Sequence, residues 1–233
     1  LPPSREQKIA RARNIVLSIV RDPKYDAYEY LVMVDLDFIT PWPIDEIVST
    51  MQIGEEWDCM SANGVFNQGT LYWDRYAFRD AMYPLGPEVL GGEWWSDLQD
   101  SWFGISTEEL KPVYSGFGGL AIYKRDTLIK FEYSGTVTKD LQEYYKRILK
   151  RTDPDNADLC KYTELNKERY LIQGRLFPIV FRSKPPSHLF TLYKNTVCCE
   201  HVTLHASMAL NGHGKFYINP RLRMVYSHSL NRL

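Results

Sequence analysis

Tyr30-Leu31-Val32-Met33-Val34-Asp35-Leu36-Asp37 is the stretch from which the rest of the chain is read. Apolar and β-branched residues run without a break and stop at two carboxylates one residue apart. Such a run suits a buried central strand, covered on both faces, in a mostly parallel sheet with helices packed on either side. Ligands of open α/β sheets bind outside the carboxyl ends of the strands, which is where Asp35 and Asp37 stand. Side chains alternate along a strand, so both carboxylates project to one side while Leu36 points away. Two hard oxygen donors converging there suit Mg²⁺ or Mn²⁺ carrying a substrate's phosphates. The plainer alternative makes one Asp a cap for the following helix and leaves the other solvated.

Upstream, Ser4-Arg5-Glu6-Gln7 has the spacing of a capping box, and Ile9, Ala12, Val16, Ile19 and Val20 recur at helical intervals up to Asp22-Pro23. A helix over about 5–21 is expected, with Arg11-Ala12-Arg13-Asn14 inside it. Downstream, Thr40-Pro41-Trp42-Pro43 opens a second helix with Ile44, Ile47, Val48 and Met51 on one side. Trp57 to Ala62 reads as a second buried strand ended by Asn63-Gly64. From Asn67 to about Pro112 periodicity is poor and aromatics crowd, the pattern of a functional loop; Trp94 to Phe103 is the expected moving part. Gly116-Phe117-Gly118-Gly119 then precedes a strand at Leu120 to Tyr123. Thr138 caps a helix through Leu141, Tyr145, Ile148 and Leu149, and a short helix over about 162–174 follows. Glu200 stands in the first turn of a helix running to about Met208, where exposed backbone N–H groups favour a carboxylate. Two short strands close the chain, Lys215 to Pro220 and Arg223 to His228.

Composition narrows the classes. The 233 residues suit one α/β unit with a sizeable core. A formal net charge of −1 gives no reason to expect nucleic acid or an anionic membrane as partner. The four cysteines lack C-x-x-C spacing and two are adjacent, which fits neither a zinc site nor a disulfide framework. No apolar run approaches 18 residues, so no membrane span is expected, and the lack of an N-x-S/T acceptor leans towards the cytoplasm. The 16 Tyr, 10 Phe and 6 Trp supply flat apolar faces with polar handles, as sugar binding and ordinary core packing both require.

Taken together, Ile9 to Asn14, Val34 to Asp37, Tyr72-Trp73-Asp74 with Arg79-Asp80, Ser115 to Gly119, Cys199-Glu200-His201 and Tyr217 to Pro220 resemble the GT-A type of nucleotide-sugar-dependent glycosyltransferase. The resemblance covers most of the chain and is nearest to the capsule-associated mannosyltransferase-like group and the glycosyltransferases of large algal viruses. It implies a single α/β, Rossmann-like domain over residues 1–233 that lacks the family's first nucleotide-binding strand. It also implies a UDP- or GDP-sugar donor, an oligosaccharide or glycoprotein glycan acceptor, and Mn²⁺ or Mg²⁺. Asp35 and Asp37 match the D-x-D motif that holds the ion on the donor diphosphate, and His228 matches a C-terminal histidine that some members add to the metal. Arg11, Arg13, Asn14, Asp35 and the Gly118-Gly119 turn are the expected donor and acceptor contacts. Glu200 matches the acidic motif that opens the helix behind the sugar. The family often has Glu-Asp where this chain has Glu200-His201. Viral relatives imply the host cytoplasm, and the alternative is a Golgi-lumenal enzyme without its anchor.

The chemistry asks for these residue types. Breaking the bond between sugar C1 and a diphosphate leaves negative charge that a divalent ion stabilises as a Lewis acid. Guanidinium groups of Arg11 and Arg13 suit the same phosphates. An inverting enzyme also needs a carboxylate to take the acceptor's proton, with Glu200 the first candidate and Asp80 the second. A haloacid-dehalogenase-like phosphohydrolase is the rival, because an apolar strand ending in D-x-D also opens that family, with the first Asp as nucleophile. Its fifth position prefers Thr or Val, whereas Ile39 stands here.

Overall fold

Ser4 starts the first helix as its spacing predicts. Its hydroxyl accepts from the Gln7 N–H at 3.2 Å, and Gln7 Oε1 accepts from the Ser4 N–H at 2.8 Å, so two orphan donors are satisfied reciprocally. The structure is a computed structural model and describes residues 2–36, 38, 41–66, 71–81, 83–90, 105, 109–151, 171–172, 175–176 and 197–226. Helix α1 (Arg5–Val20) buries Ala10, Arg13 and Leu17, one stripe at i, i+3 and i+7. The stripe expected from Val16 and Ile19 lies outside instead, with both side chains substantially exposed.

The main sheet contains β1 (Tyr30–Val34), β2 (Cys59–Phe66), β3 (Leu71–Tyr72), β4 (Lys111–Val113) and β5 (Leu120–Lys124). A separate two-strand ladder pairs β6 (Leu171–Ile172) with β7 (Arg175–Leu176), and β6 falls within the helix expected over about 162–174. The last strand of the main sheet is β8 (Phe216–Val225). Its order is β1-β5-β2-β8-β4, with β3 on β2. The expectation of a mostly parallel sheet is corrected here: only β2 and β8 pair in parallel, and every other pairing in this sheet is antiparallel. β1 is an edge strand among the described residues, with one buried residue in five, whereas four of the five residues of β5 are buried. An apolar run reports burial of side chains, and both an edge strand under helices and a central strand satisfy it.

Helices flank both faces, as expected. Met33, Cys59, Ala121, Tyr123, Phe216 and Ile218 pack in one core with Leu17 and with residues of α5 (Lys139–Arg151) and α6 (Glu200–Leu210). Met60, Ala62, Leu120, Ile122, Leu222 and Met224 form a second core with Trp57 and with Ile47 of α2 (Ile44–Met51). The period-2 alternation of β2 and β5 divides their side chains between the two. Among the described residues, α3 (Pro87–Leu90) and α4 (Arg125–Leu128) are α-helices of a single turn. Thr138 caps α5 through its hydroxyl, which accepts from the Leu141 N–H at 3.0 Å.

Two breakers do not end their strands. β2 runs on through Asn63-Gly64, because a side chain on Gly64 would strike the Gly118 backbone and glycine leaves room for that approach. The parallel register jumps there from Ala62 opposite Asn219 to Asn63 opposite Arg223, so Pro220 is taken up in an irregularity within β8. Because β5 runs against both neighbours, β1 and β2 point the same way and the turn entering β5 lies at the carboxyl end of β1. Among the described residues, no helix is long and apolar enough to cross a membrane.

Candidate active site

Arg13 is the centre of the site. It sits on the buried stripe of α1, and its guanidinium reaches two carboxylates on distant elements. Nη2 donates to Asp35 Oδ1 at 2.8 Å and Nε donates to Glu200 Oε1 at 3.1 Å. The carboxyl end of β1 is thereby tied to the amino end of α6 through α1. Phe117 and Tyr133 cover the cation, with ring centroids 4.8 and 5.7 Å from Cζ. Burial works against the charge, but Tyr133, Asp35 and Glu200 together outweigh it and hold the Arg13 pKa above the ordinary arginine value. Burial raises the pKa of Glu200 and Arg13 pulls it back, with a net rise. Asp35 keeps 37% of its side chain exposed, whereas Arg13 keeps 9% and Glu200 7%, so Asp35 is the member that meets solvent.

The glycine turn locks onto the same strand end. Gly119 O accepts from the Asp35 N–H at 2.9 Å, which fixes where β1 stops. Gly118 and Gly119 have φ of +62° and +85°, left-handed values that side chains resist, and a Cβ on Gly118 would collide with the Ala62 carbonyl. Opposite them stands Asp74, whose Oδ2 accepts from the Gly118 N–H at 3.0 Å and whose Oδ1 accepts from the Ala77 N–H at 3.4 Å. Its residue is only partly covered, but close packing around the carboxyl, with Asp35 nearby, pushes its pKa up to about 7. Sequence reading gives Asp74 no role, although it falls in the quoted Tyr72-Trp73-Asp74. Only the fold brings it opposite Gly118.

A cleft of about 1260 Å³ has a lining that includes Arg13, Asp35, Asp74, Glu200, His201, Trp73, Tyr226 and Cys199. Burial pushes the Cys199 thiol well above its ordinary pKa, so the ionised donors offered at neutral pH are oxygens. The structure therefore brings Arg13, Asp35, Glu200 and the Gly118-Gly119 turn together. It places Arg11 and Asn14 elsewhere: both line a separate hollow of about 480 Å³ beside Tyr133 to Thr136. There Asn14 grips the Tyr133 backbone, donating to its carbonyl at 2.9 Å and accepting from its N–H at 2.8 Å. Arg11 is exposed. Residues 11, 13 and 14 are adjacent in sequence, but a helix turns them to different faces. Asp80 does not line the cleft. It is buried against Lys111 Nζ at 2.9 Å and accepts from the Tyr83 N–H at 2.7 Å.

Asp37 and His228, expected as metal ligands, lie outside the described residues, as does the aromatic segment Trp94 to Phe103. Among the described residues, no three His, Cys, Asp or Glu side chains converge as a metal cage. No family model, curated protein or solved structure matches the chain.

Proposed function

We propose that the cleft transfers a glycosyl group from a nucleotide-diphosphate sugar to a hydroxyl of a glycan acceptor, with inversion at C1. The observation that carries this reading is the Arg13 bridge, which sets a cleft-facing carboxylate at the end of β1 and a second carboxylate at the start of α6 in one cleft. One acidic group suits the donor's diphosphate and the other suits the acceptor's proton.

The oxygen donors of the cleft fit a hard divalent ion. Asp35 would hold Mn²⁺ or Mg²⁺, with Asp37 and His228 as the further proposed ligands and substrate phosphates filling the remaining positions. When bound, the ion stabilises charge on the departing diphosphate. Every other part falls to the chain. Arg13 holds Asp35 and Glu200 at fixed separation and offsets part of the burial cost of the Glu200 charge. Glu200 takes the acceptor proton, and its raised pKa brings it nearer the range a general base needs. Gly118-Gly119 fixes the end of β1, and with it Asp35, through the Gly119 carbonyl.

A panel of UDP- and GDP-sugars with Mn²⁺ tests this. Release of free nucleoside diphosphate, with no phosphate released from phosphomonoesters, is the expected result; the reverse pattern identifies a phosphohydrolase instead. NMR of the first-formed glycoside then decides inversion, because an α-linked product from an α-linked donor removes Glu200 from its role.

A further inference from the structure

Behind Glu200 a polar thread crosses the core. Ser115, Tyr123, His201 and His205 are all buried to within 1% of complete cover. Ser115 Oγ lies 2.9 Å from His205 Nδ1, His205 Nε2 lies 3.0 Å from the Tyr123 hydroxyl, and that hydroxyl lies 3.5 Å from His201 Nδ1. At the far end, His201 Nε2 is buried with no hydrogen-bond partner among the described residues, and Glu200 Oε1 is 3.6 Å away. Phe117 stacks on the His201 ring at 3.8 Å between centroids and Tyr133 meets it edge-on, which fixes the ring's plane. His201 also lines the cleft.

Burial keeps both imidazoles neutral: His205 is pushed down to about 3 and His201 falls well below its ordinary value. A neutral imidazole carries one N–H, and a tyrosine or serine one O–H. With the Tyr123 O–H donated within the thread, its protons run one way or the other as a set. Running towards Ser115, they leave the Ser115 O–H without an acceptor among the described residues and turn a bare His201 Nε2 lone pair on the Glu200 carboxylate. In the opposite sense, Ser115 donates to His205 Nδ1, His205 Nε2–H to Tyr123, and Tyr123 to His201 Nδ1. That sense leaves the His201 Nε2–H facing Glu200 Oε1. It gives every donor on the thread an acceptor or an anion to face, and a buried unmatched donor is costly.

We propose that His201 is a positioning residue for Glu200, locked as the Nε2–H tautomer by the chain Ser115, His205 and Tyr123. Its N–H and the Arg13 Nε–H both address Oε1, while Oε2 has only the weak Cys199 Sγ–H contact at 4.0 Å, so Oε2 is the oxygen that receives a substrate proton. Only this assignment of Oε2 rests on the glycosyl-transfer reading; the tautomer stands without it.

Long-range ¹H–¹⁵N spectra of the ¹⁵N-labelled full chain at pH 7 test the proposal directly, and five histidines keep the spectrum simple. Wild type should show His201 and His205 each with a pyrrole-type Nε2 and a pyridine-type Nδ1. In Tyr123→Phe the His201 Nδ1 signal should move towards that of an unbonded ring nitrogen, and in Glu200→Gln the His201 Nε2 signal should move. A wild-type proton on His201 Nδ1, or one averaged over both nitrogens, overturns the proposal. So does a His201 Nε2 signal indifferent to Glu200→Gln. If Glu200→Gln does not fold, the wild-type tautomer and Tyr123→Phe decide it alone: an unmoved Nδ1 signal overturns it and a moved one upholds it. Absence of glycosyl transfer would alter none of these spectra.

Discussion

Among the described residues three buried arginines, Arg13, Arg79 and Arg125, meet carboxylates, and the first two are built for different ends. Arg79 and Glu88 are sealed, with 1% and 0% of their side chains exposed. Arg79 directs Nη1 to the carbonyls of Tyr76 and Phe78 at 3.1 and 2.6 Å, Nη2 to both Glu88 oxygens at 3.0 and 2.8 Å, and Nε to the Tyr145 hydroxyl at 3.3 Å. Tyr145 in turn donates to Glu88, so the cluster satisfies itself and holds α3 to α5. Arg13 is nearly as buried, but it serves two carboxylates on separate elements, and Asp35 stays open to the cleft. A sealed pair stabilises the fold by leaving nothing to react with. The open pair keeps a partly solvated carboxylate at a fixed place, which is what binding and catalysis require.

Mutations should separate the two. Arg79→Met strands the Glu88 carboxylate in the core and should cost about 3–5 kcal/mol of stability by chemical denaturation, most of it regained when Glu88 is also replaced by Leu. No regain in the double variant would mean that Arg79 acts through its backbone contacts rather than its ion pair. Glu200→Gln should lower kcat by about 10²–10⁴-fold with donor affinity nearly unchanged, as loss of a general base does. An unchanged kcat would reduce Glu200 to a partner of Arg13. Gly118→Ala should cost about 2 kcal/mol in thermal unfolding, because its φ is left-handed and its Cβ meets the Ala62 carbonyl.

Asp74 gives the smallest effect and a pH signature. Its pKa is raised by burial and then by Asp35, so between pH 4 and 7 the folded chain binds a proton that the unfolded chain has lost. Stability from this group therefore falls as pH rises through that window. In EDTA, Asp74→Asn should be more stable than wild type by about 1–2 kcal/mol at pH 8, with the gap closing towards pH 4. A constant gap across that range would show that Asp74 does not titrate as its surroundings require.

Local chemistry was readable in the sequence, and its assembly was not. The Ser4 capping box, the Thr138 cap, the apolar run of β1 and the position of Glu200 at a helix start depend on neighbours within a few residues, and each appears as expected. The edge position of β1 and the antiparallel insertion of β5 depend on pairing over about 90 residues, which apolar periodicity does not encode. The sequence suits Arg13 to phosphate, yet its closest partners are Asp35 and Glu200, 22 and 187 residues away. His201 falls in the quoted Cys199-Glu200-His201 but has no role of its own in the sequence, and His205 belongs to no motif. Their role arises only where Tyr123 of β5 and Ser115 meet α6.

The most direct test of an open, working Arg13 site is Mn²⁺-dependent release of nucleoside diphosphate by wild type and Asp35→Ala, with the unfolding temperature of each measured alongside. Asp35 lies at a partly solvated strand end, so the account predicts turnover lost by about 10³-fold or more while the unfolding temperature changes by only a few degrees. Undiminished turnover in Asp35→Ala would contradict it.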